Sequence, residues 1–185
     1  MKYHRPHWAL ALLGAMSAIT TAAAAQDRVE GQDPGFLPRF EGADIRQYRQ
    51  TSLDQIVIPT GPVADEKRPP SVELLEGAIT HIDYLLTPAV APLAIEQHYR
   101  AMLDRAGYEV YFDCHGERQC GQGMASLILN SGHVAPAGLA DGIFSDGIRL
   151  LVARKGRDWV LMHVNSGPDA AHAYVATVAD GVAPQ

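Results

Sequence analysis

Between Pro92 and Cys114 the hydrophobic period of this chain changes from that of a helix to that of a strand within a few residues, which narrows the folds open to it. Ile95, Tyr99, Met102, Leu103 and Ala106 fall at helical spacing, with Pro92 near the first turn and Gly107 just past the end. Glu96 and Arg100 stand four apart in the favourable order, worth a few tenths of a kcal/mol to the helix. Tyr108, Val110, Phe112 and Cys114 then alternate with Glu109, Tyr111 and Asp113, the pattern of a strand with one buried face. Helix, tight turn and strand are predicted as one unit.

Flanking segments extend the pattern. Residues 26–38 and 59–71 are rich in Gly, Pro and charge and read as loops. Between them Ile56, Val57 and Ile58 form a short strand that Pro59 ends. Residues 74–86 read as a strand with Ala78, Thr80, Ile82, Tyr84 and Leu86 on one face. Ile79, His81, Asp83 and Leu85 line the other, which is expected to be half exposed. Residues 116–123 read as a loop, 124–129 fit a short helix or a strand equally, and 130–147 read as a long surface connection. Strands over 148–153 and 159–164 are joined by Arg154, Lys155, Gly156, Arg157 and Asp158, a hairpin spacing, and a last strand covers 173–178. Short connections require antiparallel pairing. The predicted class is α+β, a mainly antiparallel sheet with one dominant packed helix and a C-terminal three-stranded meander.

The N-terminus sets the compartment. Lys2 and Arg5 precede an apolar run over 9–21, and Ala22, Ala23, Ala24 and Ala25 follow, the arrangement of a secretory signal peptide cleaved after Ala24 or Ala25. The predicted organisation is therefore a signal peptide over 1–25, a flexible segment over 26–38 and one domain over 39–185. An uncleaved anchor is the rival reading, but 18 residues rich in alanine and threonine fall short of the roughly 20 apolar residues a spanning helix needs. No cysteine follows the cleavage region, which disfavours a lipid anchor. Loss of the two basic residues in the leader leaves 13 Lys and Arg against 21 Asp and Glu, a balance of minus 8. So acidic a chain is a poor nucleic-acid binder, and no second apolar run suggests a membrane-embedded mature protein.

Cys114 and Cys120 are the sole cysteines, and in an exported chain such a pair reads first as a disulfide. The loop it closes is short, so the chain-entropy gain is roughly 2 kcal/mol. Two alternatives stay open: zinc held by Cys114, His115 and Cys120 with a distant fourth ligand, and a redox-active disulfide, although five intervening residues are too many for the usual thiol oxidoreductase motif. His81 and Asp83 share a strand face and suit proton transfer or cation binding, against the plainer reading of a solvated face. His98, His133, His163 and His172 have no metal-binding spacing. Asp141 and Asp146 lie among glycines without the ligand spacing of a calcium loop, and no serine stands in a nucleophile motif. Arg39, and Arg154, Lys155 and Arg157 at the hairpin tip, are candidate contacts for an anionic ligand. No cofactor is expected.

Several segments together resemble an uncharacterised family of Gram-negative envelope domains. Asp33, Pro34, Leu37, Pro38, Arg39, Phe40, Glu41 and Gly42 with Ile45 and Tyr48 resemble its opening, and Leu75 to Thr80 through Tyr84 its central strand. His98, Tyr99, Leu103, Ala106, Gly107, Tyr108, Glu109 and Val110 resemble its helix-to-strand unit, and Cys114 with Cys120 and Gly121 its paired cysteines. The resemblance covers roughly residues 30–180, more loosely after Ile148. Members often precede an OmpA-like peptidoglycan-binding domain, which implies the periplasm or outer membrane, and this chain has no room for that domain. The resemblance implies a location and no catalytic residues.

The expectation is a periplasmic, non-enzymatic module that binds an envelope protein or cell-wall component through its sheet face and the loops near Arg39 and Arg154. The alternative is a metal-dependent or acid–base hydrolase of envelope polymers, using His81, Asp83, His115 or other histidines.

Overall fold

A computed structural model describes residues 27–140 and 147–183. The signal peptide expected over 1–25 and the Asp141 and Asp146 stretch lie outside the described residues. Six strands form one antiparallel sheet: β1 (Ala43–Pro59), β2 (Val72–Leu86), β3 (Glu109–His115), β4 (Arg149–Lys155), β5 (Asp158–Ser166) and β6 (Ala171–Val182), in the order β1-β2-β6-β5-β4-β3. The helix α1 (Pro92–Arg105) carries the chain from β2 to the far edge at β3, and two short helices, α2 (Gly116–Cys120) and α3 (Met124–Leu129), follow. The α+β class, the dominant helix and the closing meander β4-β5-β6 are all present.

The sheet has two covered faces, because alternate residues of its inner strands pack into different cores. On one face Ile82, Tyr84, Leu151, Val160, Met162 and Val175 meet Ile95, Tyr99 and Leu103 of α1. On the other Ile79, Leu150, Leu161, Tyr174 and Val178 meet Met124, Leu127 and Ile128 of α3, together with Val63, Val134 and Leu139 from the connections. Every fully buried Leu or Ile in either layer contributes roughly 1.5–3 kcal/mol of burial.

Several expectations change. Within the surface connection expected over 130–147, Val134, Ala135, Leu139 and Ala140 are buried in the second core, and on β3 the face expected to be buried is mostly open, with Cys114 alone buried. β1 runs from Ala43 to Pro59, far beyond the short strand expected at 56–58. Its polar residues are tolerated because it is an outer strand with much of its length at the surface. The face of β2 that carries His81 and Asp83 is buried, not half exposed, with relative exposures of 2% and 1%. Part of the expected loop at 116–123 is the helix α2. The segment 27–38 contains neither helix nor strand, yet it is tied down. Asp33 accepts hydrogen bonds from Tyr84 Oη at 2.8 Å and Arg39 Nε at 2.8 Å, Asp27 pairs with Arg39, and Leu37 is buried.

The Cys114–Cys120 disulfide is formed and bridges β3 to the end of α2. Just beyond it the backbone of Val63 is zipped in on both sides, its N–H donating to Cys120 O at 2.7 Å and its carbonyl accepting from Gly123 N at 2.9 Å. The approach is so close that a Cβ on Gly121 would lie 2.2 Å from Val63 O, and Gly121 has φ of +87°. Only glycine fits there without strain. Gly121→Ala should therefore cost about 3 kcal/mol or more in urea unfolding. Replacing both cysteines by serine should cost about 2 kcal/mol and leave the far-ultraviolet circular dichroism unchanged.

Candidate functional site

The residues expected to act at the surface are mostly committed to the fold. Arg39 holds Asp27 and Asp33 and lies 5.6 Å over the Tyr84 ring. Arg154 lies 5.0 Å over Trp159 and donates to Gly156 O. Lys155 donates to Ala106 O at 2.7 Å, neutralising carbonyl charge at the end of α1. Arg157 bonds the Asp180 carbonyl. The cavity that Arg154 and Lys155 line does not include Arg39. The thiol-zinc alternative fails, since both sulfurs are consumed in the disulfide.

His81 and Asp83 also part company. His81 Nδ1 lies 2.8 Å from Tyr174 Oη, and that hydroxyl donates to Val134 O, so the imidazole must be the donor to the phenol oxygen. Asp83 instead pairs with Arg46, while His172 Nδ1 stands 3.9 Å away. The neighbouring strands place His163 and Asn165 on the same face, cross-strand from Tyr174 and His172. Both His163 nitrogens and Asn165 Oδ1 are buried without a hydrogen bond. This row is a polar seam in a dry layer.

Its cost is readable in acid. Burial lowers the pKa of His163 from 6.5 to about 4, and burial with the Arg49 charge lowers that of His81 to about 4. Unfolded, both titrate near 6.5, so the unfolded chain binds more protons and stability falls as pH drops from about 6.5 to about 4. The urea midpoint should be lower at about pH 5 than at about pH 7, with a shallower fall for His163→Leu. The variant should gain up to about 1–3 kcal/mol near pH 7, because it removes an unpaired buried polar group. A His163→Leu protein less stable than wild type at both pH values would mean the seam is worth more than its desolvation.

The residues that do converge lie where α1 meets β3 and β4. Glu96 faces the sheet from α1 and is 3% exposed. Asp113 and His115 alternate on β3, so both point to the α1 side, and the antiparallel register sets Arg149 of β4 opposite His115. His115 Nε2 lies 3.3 Å from Glu96 Oε2. Arg100 reaches Glu96 Oε1 at 2.9 Å and Asp113 Oδ2 at 2.7 Å, and Arg149 pairs with Glu96 Oε2. One ligand atom each from Glu96, Asp113 and His115 lies within 4.8 Å of the others. Burial pushes the Glu96 carboxyl upward, but hydrogen bonds from Arg100 and Arg149 with His115 beside it outweigh that and hold it below its usual value.

Two carboxylates, two guanidinium groups and one imidazole make a compensated cluster. Its donor set suits a divalent cation, yet a cation on Glu96 would compete with two arginines for the same oxygens. The arrangement suits acid–base chemistry better: Glu96 is anionic and buried, whereas the His115 side chain is 42% exposed. Arg100 also lines a groove of about 700 Å³ between α1 and β3, with Leu103, Asp104, Tyr108, Glu109 and Val110. Of this cluster, sequence reasoning singled out His115 alone as a candidate. Glu96 and Arg100 were legible only as a helix pair, and Asp113 only as an exposed strand residue.

No family model matches the chain, and no curated protein is significantly similar to it.

Proposed function

We propose that this protein is an exported hydrolase of cell-envelope polymers that works by acid–base chemistry at the Glu96–His115 pair. The observation that carries the reading is a buried, ionised carboxylate against a half-exposed imidazole, with Arg100 running from that carboxylate to the lining of a neighbouring groove. In such a pair the carboxylate fixes the tautomer and stabilises the imidazolium that forms when histidine takes a proton. Here Glu96 would accept from His115 Nε2–H, leaving Nδ1 to take a proton from an attacking water. Arg100 and Arg149 keep Glu96 ionised and in place, and Arg100 also faces the groove where substrate would lie. The leader-like N-terminus and the formed disulfide support an oxidising compartment, and the family resemblance points to the Gram-negative periplasm.

A second reading, a non-enzymatic module that binds an envelope partner, is favoured by the exposed apolar surface of β3. Val110 and Tyr111 are 43% and 49% exposed on that outer strand.

The test is hydrolysis of purified peptidoglycan and of model peptide, glycoside and ester substrates by wild type, His115→Ala and Glu96→Gln. The expected result is turnover by wild type that falls about 10²–10⁴-fold in His115→Ala with the circular dichroism unchanged. Glu96→Gln should fall too and lose about 1.5–3 kcal/mol of stability through its charged hydrogen bonds. Activity that survives His115→Ala, or none on any substrate class, would sink the proposal. Stoichiometric zinc uptake abolished by Glu96→Gln would replace the acid–base mechanism with a metal-dependent one.

A further inference from the structure

We infer that the outer edge of β3 docks an extended peptide of a partner protein, adding a seventh strand to the sheet. The inference does not use the Glu96–His115 pair and stands whether or not that pair hydrolyses anything. It rests on main-chain groups of the outer strand and on the cavities to either side of them.

The topology leaves β3 with one neighbour, β4. Among the described residues no backbone group other than those of β4 pairs with Glu109 to Asp113, whereas the opposite edge is partly capped. There Arg28 N donates to Ile45 O and Val57 N to His133 O. A row of unpaired strand amides and carbonyls is a template for another strand. A register shift between Val110 and Phe112 makes Tyr111 an extra residue relative to β4, and both Val110 and Tyr111 expose large apolar surface at that point.

Cavities flank the same stretch on both sides. Toward α1 lies the groove of about 700 Å³, and toward the β4–β5 hairpin lies one of about 440 Å³ lined by Glu109, Tyr111, Arg154 and Lys155. A bound strand sends successive side chains to opposite faces, and pockets for alternate side chains are what give strand addition its specificity.

Their chemistry differs. The α1 groove has an apolar floor of Ala101, Leu103 and Val110 with Asp104 at its rim, and Asp104 has no cation partner among the described residues. Arg100 in the same groove is already paired with Glu96 and Asp113. That side fits a lysine, whose aliphatic stem covers apolar surface while its head meets a carboxylate. The hairpin side presents two cations, Arg154 and Lys155, whose hydrogen bonds go to neutral carbonyls, against the one carboxylate of Glu109. It fits an acidic side chain. The occupant is thus an extended segment with a basic and an acidic residue adjacent, on a protein sharing the compartment.

The probe is a threonine-rich peptide of roughly eight residues, a typical strand length being five or six, with a central Lys-Asp pair. Its counterpart has both central residues replaced by alanine, and a third version is N-methylated on alternate residues. Titration into the folded ¹⁵N-labelled domain should shift the amides of 109–113 and slow their exchange with solvent. N-methylation and the alanine counterpart should each weaken binding by about tenfold or more, a loss of about 1.4 kcal/mol. Asp104→Lys, on the rim of the groove and distant from the core, should do the same for the Lys-Asp peptide and leave the alanine peptide unaffected. Shifts elsewhere, indifference to N-methylation or equal binding of the alanine peptide would overturn the inference. So would concentration-dependent broadening of 109–113 without peptide, since the edge would then pair with a second copy.

Discussion

The structure turns on a sheet whose inner strands are covered on both faces. In β5 every residue from Trp159 to Asn165 is buried, so neither set of alternating side chains has access to water. An antiparallel sheet ordinarily leaves one face to solvent. Here α1 covers one face, and α3 with the irregular connections covers the other. Asp83 enters the interior only with Arg46 paired to it, and the Glu96 cluster sits at a rim, where the helix layer meets the last two strands. A glutamate is tolerable there because two guanidinium groups and an imidazole reach it from three different elements.

The two polar assemblies obey that constraint in opposite ways. At the rim, each carboxylate has a cation and the charges nearly cancel, so the cluster stabilises the packing of α1 on β3 and β4 while keeping an imidazole open to water. Within the sheet face, histidine and asparagine side chains have been taken into a dry layer with only part of their hydrogen-bonding capacity met. His81 is secured through Tyr174 and the Val134 carbonyl, but His163 has no such relay. The interior seam consequently couples stability to acidity, whereas the rim cluster couples local charge to a groove.

The α1–β3 unit was legible in outline, because helical spacing, a proline start and a glycine stop agree over 92–107, but the alternation did not give the burial of β3, where Val110 is 43% exposed and Cys114 alone is buried. The meander was legible from its turn residues. β1 was not: between Asp44 and Gln55 its arginines, glutamines and aspartates give no alternation, since an outer strand needs apolar residues only where it meets the core, at Ile45, Ile56 and Ile58. The β2 face was misjudged because His81 and Asp83 read as polar and so as wet. Their burial depends on partners more than 30 residues away, Arg46 and Tyr174, which no local pattern announces. Likewise the site required knowing that β4 returns beside β3, which alone brings Arg149 opposite His115 and within reach of Glu96.

The contact of Val63 with Gly121 and Gly123 limits what the sequence can be there. Two stretches of main chain cross there with no space for a side chain, directly after a cysteine committed to a bridge. This crossing cannot accept a Cβ at Gly121 without being rebuilt. The run Cys120, Gly121, Gln122, Gly123, placed just after the strand that carries Cys114, is therefore a stretch where the order of residues is dictated by main-chain contact and not by side-chain chemistry.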